Sequence, residues 1–197
     1  MMSDYQFTND WFERVKGPWP DIIAKLPQCK RVLEIGSYEG ASACWLIENA
    51  IEDGGTITCI DTWEGGEEHA GIDMDDVFVR FNQNVGKAAL KRESRVFVNA
   101  VRENSAAALM DTRQVPSRND LIYIDGSHQA PDVLTDAVLS WQLLNVGGIM
   151  IFDDYEWMGH ESAAHRPKMA INAFVAVFTE SIETIHKGYQ LAIRRIK

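Results

Sequence analysis

Two stretches of the chain end an apolar run abruptly on acid: DLIYIDGSH at 120–128 and GIMIFDDYEW at 148–157. The first leaves Asp125, with His128 three residues on, and the second leaves the pair Asp153 and Asp154. If the two runs are neighbouring parallel strands, about 4.8 Å apart, all three carboxylates meet at one sheet edge, where open α/β sheets bind ligands. Three carboxylates so close do not all stay ionised without a cation. Hard oxygen donors at an open site suit Mg²⁺, Mn²⁺ or Ca²⁺ better than zinc. Each acid also has a plain structural reading, since Asp125 can cap the turn at Gly126 and Asp154 can cap the segment that follows it. Three acids at two strand ends favour the metal, with magnesium the expected ion.

His128 lies close enough to Asp125 to meet an atom held at the same edge. An imidazole near pKa 6.5 facing a phenol near 10 must move a proton uphill by roughly 5 kcal/mol, at about 1.36 per pKa unit. For a hydroxyl like that of water, near 15.7, the gap grows to roughly 12 kcal/mol. A cation that lowers the hydroxyl's pKa by several units makes the pairing of metal and base workable.

A second set of residues points to a cofactor. VLEIGSYEGAS at 32–42 puts Gly36 and Gly40 between a strand and its helix, where glycine permits a tight turn and close approach of the backbone to a ligand. Asp61 ends the next strand, as an acid that accepts hydrogen bonds from a ribose would. Glycines alone could be there only for the turn; Asp61 adds a nucleoside. The loop is not G-x-G-x-x-G, and Glu34 and Glu39 make a poor cradle for a pyrophosphate. Acid beside the first strand suits a cationic amino-acid portion, which favours S-adenosylmethionine over NAD.

These residues need a scaffold, and the chain supplies one. RVLEI (31–35), TITCI (56–60), RVFVN (95–99), DLIYI (120–124) and GIMIF (148–152) alternate with helical stretches at 40–52, 72–87, 104–111, 131–144 and 167–180. That rhythm predicts an α/β fold, a Rossmann-like doubly wound sheet, mostly parallel, with helices on both faces. ETIHKGYQLAIRRI at 183–196 breaks it, as two alternating runs around Lys187-Gly188, and predicts an antiparallel C-terminal β-hairpin at the sheet edge. Residues 1–30 read as a helical lead-in and residues 31–197 as a single globular domain. The loops at 62–71 and 155–166 are where ligands would go.

Composition narrows the partners. With 197 residues, 46% of them hydrophobic, the chain can bury one sizeable core. A formal charge of −10 argues against nucleic acid or an anionic membrane surface, both polyanionic. Cys29, Cys44 and Cys59 form no CxxC pair and are odd in number, which suggests buried thiols in a reducing compartment. The N-terminus has no basic start or apolar core of a signal peptide, and no apolar run approaches the roughly 20 residues of a membrane span. The expectation is a cytoplasmic protein acting on a small molecule, and compatible with a homo-oligomer.

Together these motifs resemble the class I S-adenosylmethionine-dependent methyltransferases, specifically divalent-metal O-methyltransferases similar to catechol O-methyltransferase and the macrolide-sugar O-methyltransferases. The resemblance runs from about Val32 to Tyr155, and the end hairpin matches that fold's reversed last strand. It implies that Glu34, the backbone from Gly36 through Ser37 and Tyr38 to Gly40, and Ser42 hold the methionine end of the cofactor. It further implies that Asp61 binds the ribose, that Ser105 lies on the adenine side with Trp63 also at the cofactor, that Asp125, Asp153 and Asp154 bind metal, and that His128 is the general base. The implied reaction is transfer of a methyl group to a hydroxyl of a small molecule, with histidine in place of lysine leaning towards a sugar-like alcohol over a phenol. The competing readings are a non-catalytic nucleoside-binding module, a nicotinamide-dependent oxidoreductase and a metal-dependent hydrolase. Among lesser signals, Trp63, Glu64, Tyr155, Trp157 and His160 could line a pocket. His69, His165 and His186 read as surface residues, and Lys91, Arg92 and Arg95 as charges that solvate an edge strand.

Overall fold

The apolar runs become strands in which successive side chains serve two different cores. In the computed structural model, which describes residues 5–66, 69–92, 95–111, 113–115 and 118–197, β1 (Arg31–Ile35), β2 (Gly55–Asp61), β3 (Val96–Arg102), β4 (Asn119–Ile124) and β5 (Leu144–Phe152) pair in parallel. The hairpin strands β6 (Ile182–Lys187) and β7 (Leu191–Arg195) complete a seven-stranded sheet of order β3-β2-β1-β4-β5-β7-β6 among the described residues. The hairpin therefore lies at the edge as expected, and β7 is the strand that pairs antiparallel with β5. This doubly wound α/β sheet meets the fold expectation.

Period-two alternation assigns the faces. Leu121, Tyr123, Ile149 and Ile151 point into one layer, while Ile122, Ile124, Met150 and Phe152 point into the other. The first layer is covered by α1 (Trp11–Val15), α2 (Trp19–Ile23), α3 (Ala41–Asn49) and α4 (Met74–Lys91), whose Phe12, Trp19, Leu46 and Phe81 fill it. The second is covered by α5 (Ser105–Met110), α6 (Ala130–Trp141) and α7 (Pro167–Val177), with Trp141 and Phe174 at its centre. The lead-in packs into the same layer as the sheet, since Phe12, Trp19 and Ile22 are all buried there.

Local chemistry sets the element ends. Asp73 caps α4 by accepting from the amides of Asp75 and Asp76, so that helix begins at Met74 and not at the expected 72. Asn104 does the same for α5. Strand β5 starts four residues before the expected GIMIF, because Gly147 takes φ +88° and lets Leu144 join the sheet across a register shift opposite Asn119. The expected helix to residue 144 stops at Trp141 for the same reason. Arg92 departs from its expected role as an edge solubiliser: its guanidinium donates to the carbonyls of Ile47 and Ile51 and closes the C-terminal end of α3. Glu93 and Ser94 beside it, and residues 67 and 68 of the 62–71 loop, lie outside the described residues. Among the described residues, no helix is long and apolar enough to cross a membrane.

Candidate active site

The carboxyl ends of β1, β4 and β5 are joined by short backbone hydrogen bonds: Asp125 N to Ile35 O at 2.8 Å and Asp153 N to Ile124 O at 2.9 Å. Gly36 makes this closeness possible. It sits at φ +84°, and a Cβ there would lie 2.0 Å from the carbonyl oxygen of Asp125. The glycine loop after β1 and the acidic loop after β4 therefore touch, and the two candidate centres read from the sequence form one rim.

Within the glycine loop the acids are already satisfied. Glu34 is wholly buried, and its two oxygens accept from the hydroxyls of Ser37 and Ser42, each at 2.6 Å. Burial pushes its carboxyl above the ordinary range, partly offset by those serines. Glu34, expected at the methionine end of a cofactor, is buried with both oxygens taken by Ser37 and Ser42. Glu39 is likewise buried, bound to Arg80 at 2.6 Å and to the amide and hydroxyl of Thr8 at 2.7 and 2.9 Å. Asp61 organises the loop: one carboxylate oxygen accepts from the amides of Ser37 and Tyr38, both at 2.9 Å, and the other from Trp63 N at 2.8 Å. Of about four acceptor positions on a carboxylate, one is left over for a hydroxyl such as a ribose would offer.

Tyr38 at φ +46° and Trp63 at φ +47° are held in the left-handed region by these bonds, a conformation that bulky residues adopt only where surroundings enforce it. The expectation that the Trp63 side chain lines a pocket is corrected. Its indole is completely buried against Phe78 and Phe81 and donates to Tyr38 O at 2.9 Å, so Trp63 can offer a ligand only backbone. Gly40, at φ +80° and 3.0 Å by its would-be Cβ from Phe81, lets α3 begin against α4. Ser105 opens α5 and bonds the buried Asp136 of α6, whose carboxyl burial lifts to about 6. His69, expected on the surface, joins Trp11 over Tyr38: its ring stacks on Tyr38 at 5.0 Å, and Trp11 meets Tyr38 at 5.4 Å. This aromatic group covers the glycine loop.

At the ends of β4 and β5 the acids face one another. The Tyr123 hydroxyl stands between Asp125 and Asp153, 3.0 Å from one and 2.6 Å from the other. Burial pushes the Asp125 and Asp153 carboxyls upward, followed by the neighbouring negative charges. These two converge as expected. The expectation that Asp154 completes a three-carboxylate cluster is corrected: at φ +55° its side chain turns to His128 Nε2 at 2.8 Å and to the Tyr189 hydroxyl at 2.7 Å. Among the described residues, no group of three His, Cys, Asp or Glu side chains stands close enough together to hold an ion. The cause is electrostatic, since a third acid crowded at one edge is lower in energy when it turns to donors of its own, as Asp154 does. The donor set suits a hard dication in chemistry, with Asp125 and Asp153 supplying convergent oxygen and Asp154 reserved for the histidine.

His128 is braced on its other side. Its ring lies flat on Trp157, with centroids 4.3 Å apart and planes 7° from parallel. The indole in turn packs so closely on Gly159 that a Cβ there would come within 2.1 Å of it. The sequence offered no partner for His128 beyond Asp125; the fold supplies Asp154 and Trp157, with Tyr189 bonded to Asp154 in turn. Tyr123 was legible in principle, as a lone hydroxyl two residues before Asp125 and so on the same strand face. Gln190, whose amide donates to Asp153 at 3.1 Å, carries no local signal at all.

Comparison with known proteins agrees with this fold. The chain resembles in fold the O-methyltransferase TomG of Streptomyces achromogenes, solved with SAM, at a TM-score of 0.63 and 18% identity over 91% of this chain and 79% of that one. The O-methyltransferase of Bacillus cereus, solved with SAH, gives 0.58 and 18% over 98% and 84%, and the O-methyltransferase NovP gives 0.60 and 18% over 95% and 80%. Protein R132 of Acanthamoeba polyphaga mimivirus is 30% identical over 128 residues, 63% of this chain and 51% of R132, so the match spans about half of that relative. Residues 33–155, from the first strand through the acidic pair, match the family of methyltransferase domains, and the chain belongs to that family.

Proposed function

We propose that this methyltransferase moves the methyl group of S-adenosylmethionine to a hydroxyl of a small molecule, with His128 as the general base. The observation that carries this reading is the His128–Asp154 pair at 2.8 Å, set on the same rim as the Asp125–Asp153 pair and next to the glycine loop. The cofactors in the TomG and Bacillus cereus structures, SAM and SAH, support the choice of donor. Ser37, Tyr38 and the open acceptor position of Asp61 would bind its amino-acid and ribose portions.

Asp125 and Asp153 would hold a divalent cation, magnesium being the expected one. When bound, it supplies positive charge that lowers the pKa of a nearby hydroxyl. Two facing carboxylates suit that role because a cation offsets both the desolvation and the charge repulsion that raise them. Asp154 keeps a different task. Bonded to the imidazole at Nε2, Asp154 orients the ring and stabilises the imidazolium that forms when His128 takes the acceptor's proton. Trp157 holds the ring in plane so that the base faces one direction, which favours in-line attack on the methyl carbon.

The test is a pair of measurements on wild type and His128→Ala. Calorimetry with S-adenosylhomocysteine should give equal affinities, while methylation of a panel of phenolic and sugar hydroxyls from labelled S-adenosylmethionine should fall about 10²-fold or more in the variant. Absence of S-adenosylhomocysteine binding to wild type would overturn the choice of donor, and undiminished turnover in His128→Ala would overturn the base.

A further inference from the structure

The proposed cation site depends on how Asp153 is aimed, and we propose that Trp19 and Gln190 are its positioning residues. Trp19 comes from α2 in the lead-in and Gln190 from the turn before β7, far from Asp153 and from each other in the chain. The indole N–H of Trp19 donates to Gln190 Oε1 at 2.8 Å, and Gln190 Nε2 donates to Asp153 Oδ1 at 3.1 Å. An indole nitrogen can only donate. It therefore fixes the carboxamide oxygen on its own side and obliges the NH₂ to point at the acid.

The same indole braces the other side-chain donor to Asp153. Its edge meets the Tyr123 ring at 4.9 Å and 83°, and the Tyr123 hydroxyl donates to the second oxygen, Oδ2, at 2.6 Å. Each oxygen of Asp153 thus has a side-chain donor that rests on one side chain of the lead-in, Oδ1 taking the local Asp154 amide at 2.8 Å as well. Trp19 is 0% and Gln190 1% exposed, so bulk water does not substitute for either bond. A buried carboxamide costs free energy unless both its ends are paired. Here one end is paired to the lead-in and the other to the acid, an arrangement that packing alone does not require.

This inference rests on the reading of Asp125 and Asp153 as cation ligands, and its test separates the two. The probe is MnCl₂ titrated into the full chain, with free Mn²⁺ followed by electron paramagnetic resonance. The variants are Trp19→Phe, which keeps the ring against Tyr123 but loses the N–H, and Gln190→Met, which keeps the length but loses both polar groups. Trp141→Phe trims a core indole in the opposite layer and serves as the control. Partners behind a metal ligand commonly change affinity by about 10- to 100-fold, so both variants should bind Mn²⁺ at least about tenfold more weakly, with Trp141→Phe unchanged. Wild-type affinity in Trp19→Phe and Gln190→Met would overturn the positioning role while leaving the cation site standing. An equal loss in Trp141→Phe would overturn it too, as a general effect of loosened packing. No Mn²⁺ binding by wild type would overturn the cation reading and this inference with it. Should Trp19→Phe fail to fold, Gln190→Met carries the comparison by itself.

Discussion

Two acidic regions share one rim and differ in whether their acids face one another. At the ends of β1 and β2, Glu34 and Asp61 are surrounded by donors: two serine hydroxyls for the first and three backbone amides for the second. At the ends of β4 and β5, Asp125 and Asp153 share the Tyr123 phenol, Asp153 taking Gln190 and the Asp154 amide besides, and their carboxyls are pushed up by desolvation and by negative neighbours. Acids met by donors hold a loop in shape. Acids that face acids store repulsion, which a cation or a substrate proton can relieve, and that is the arrangement expected where chemistry happens.

The sharpest way to break this contrast is at the seam between the regions. Gly36→Ala places a Cβ 2.0 Å from the Asp125 carbonyl at a φ that disfavours side chains, so a loss of more than about 4 kcal/mol is expected, enough to abolish folding of a marginally stable domain. A normal thermal transition in this variant would show that the two loops do not touch.

Next in size is Asp125→Asn. Methyl transfer should fall by about 10²-fold or more, since the proposed cation would contribute several kcal/mol. Thermal stability should rise, because one of two repelling acids is removed. Stability and activity that fall together would place Asp125 with the loop-holding acids instead.

Asp136 lies behind the rim, packed on Gly126 and bonded to Ser105, and reports burial without a facing acid. Its carboxyl is lifted from 3.8 to about 6, burial being the first cause. A raised folded-state pKa means the native state binds more protons than the unfolded chain, so stability is lost as pH rises from about 4 to about 6. Asp136→Asn should remove that slope and stabilise the protein at pH 7 by up to about 3 kcal/mol, with no gain below pH 4. Parallel denaturation curves at the two pH values would contradict this.

The smallest effect is expected at Asp61. In Asp61→Asn, either orientation of the amide sets an NH₂ against at least one backbone N–H, at a cost of about 1–3 kcal/mol. The KM for the methyl donor should rise more than kcat falls, the reverse of Asp125→Asn. Equal changes in both constants would erase the distinction between the regions.

Much of this was legible along the chain. VLEIG, TITCID, DLIYID and GIMIFDD announce strands by their β-branched runs, and each ends in a glycine or acid that a strand interior would not tolerate. The parallel order then follows from the alternation with helices, and it brings Asp125 next to Asp153. Trp63 was misread because an aromatic after a strand-end acid looks the same in sequence whether it faces a ligand or the helix behind it. Phe78 and Phe81, which decide the matter, lie on another element. Asp154 was misassigned for a related reason, since its partner Tyr189 comes from the terminal hairpin.

The sequence by itself determined which residues stand at the ends of the strands, because strand length and the two-residue period are local properties that neighbouring side chains impose. Only the tertiary structure decided what each acid does there. That depends on which donors reach it, and those donors, Trp19 through Gln190 for Asp153, Tyr189 for Asp154 and Arg80 for Glu39, arrive from segments that meet only when the sheet has formed.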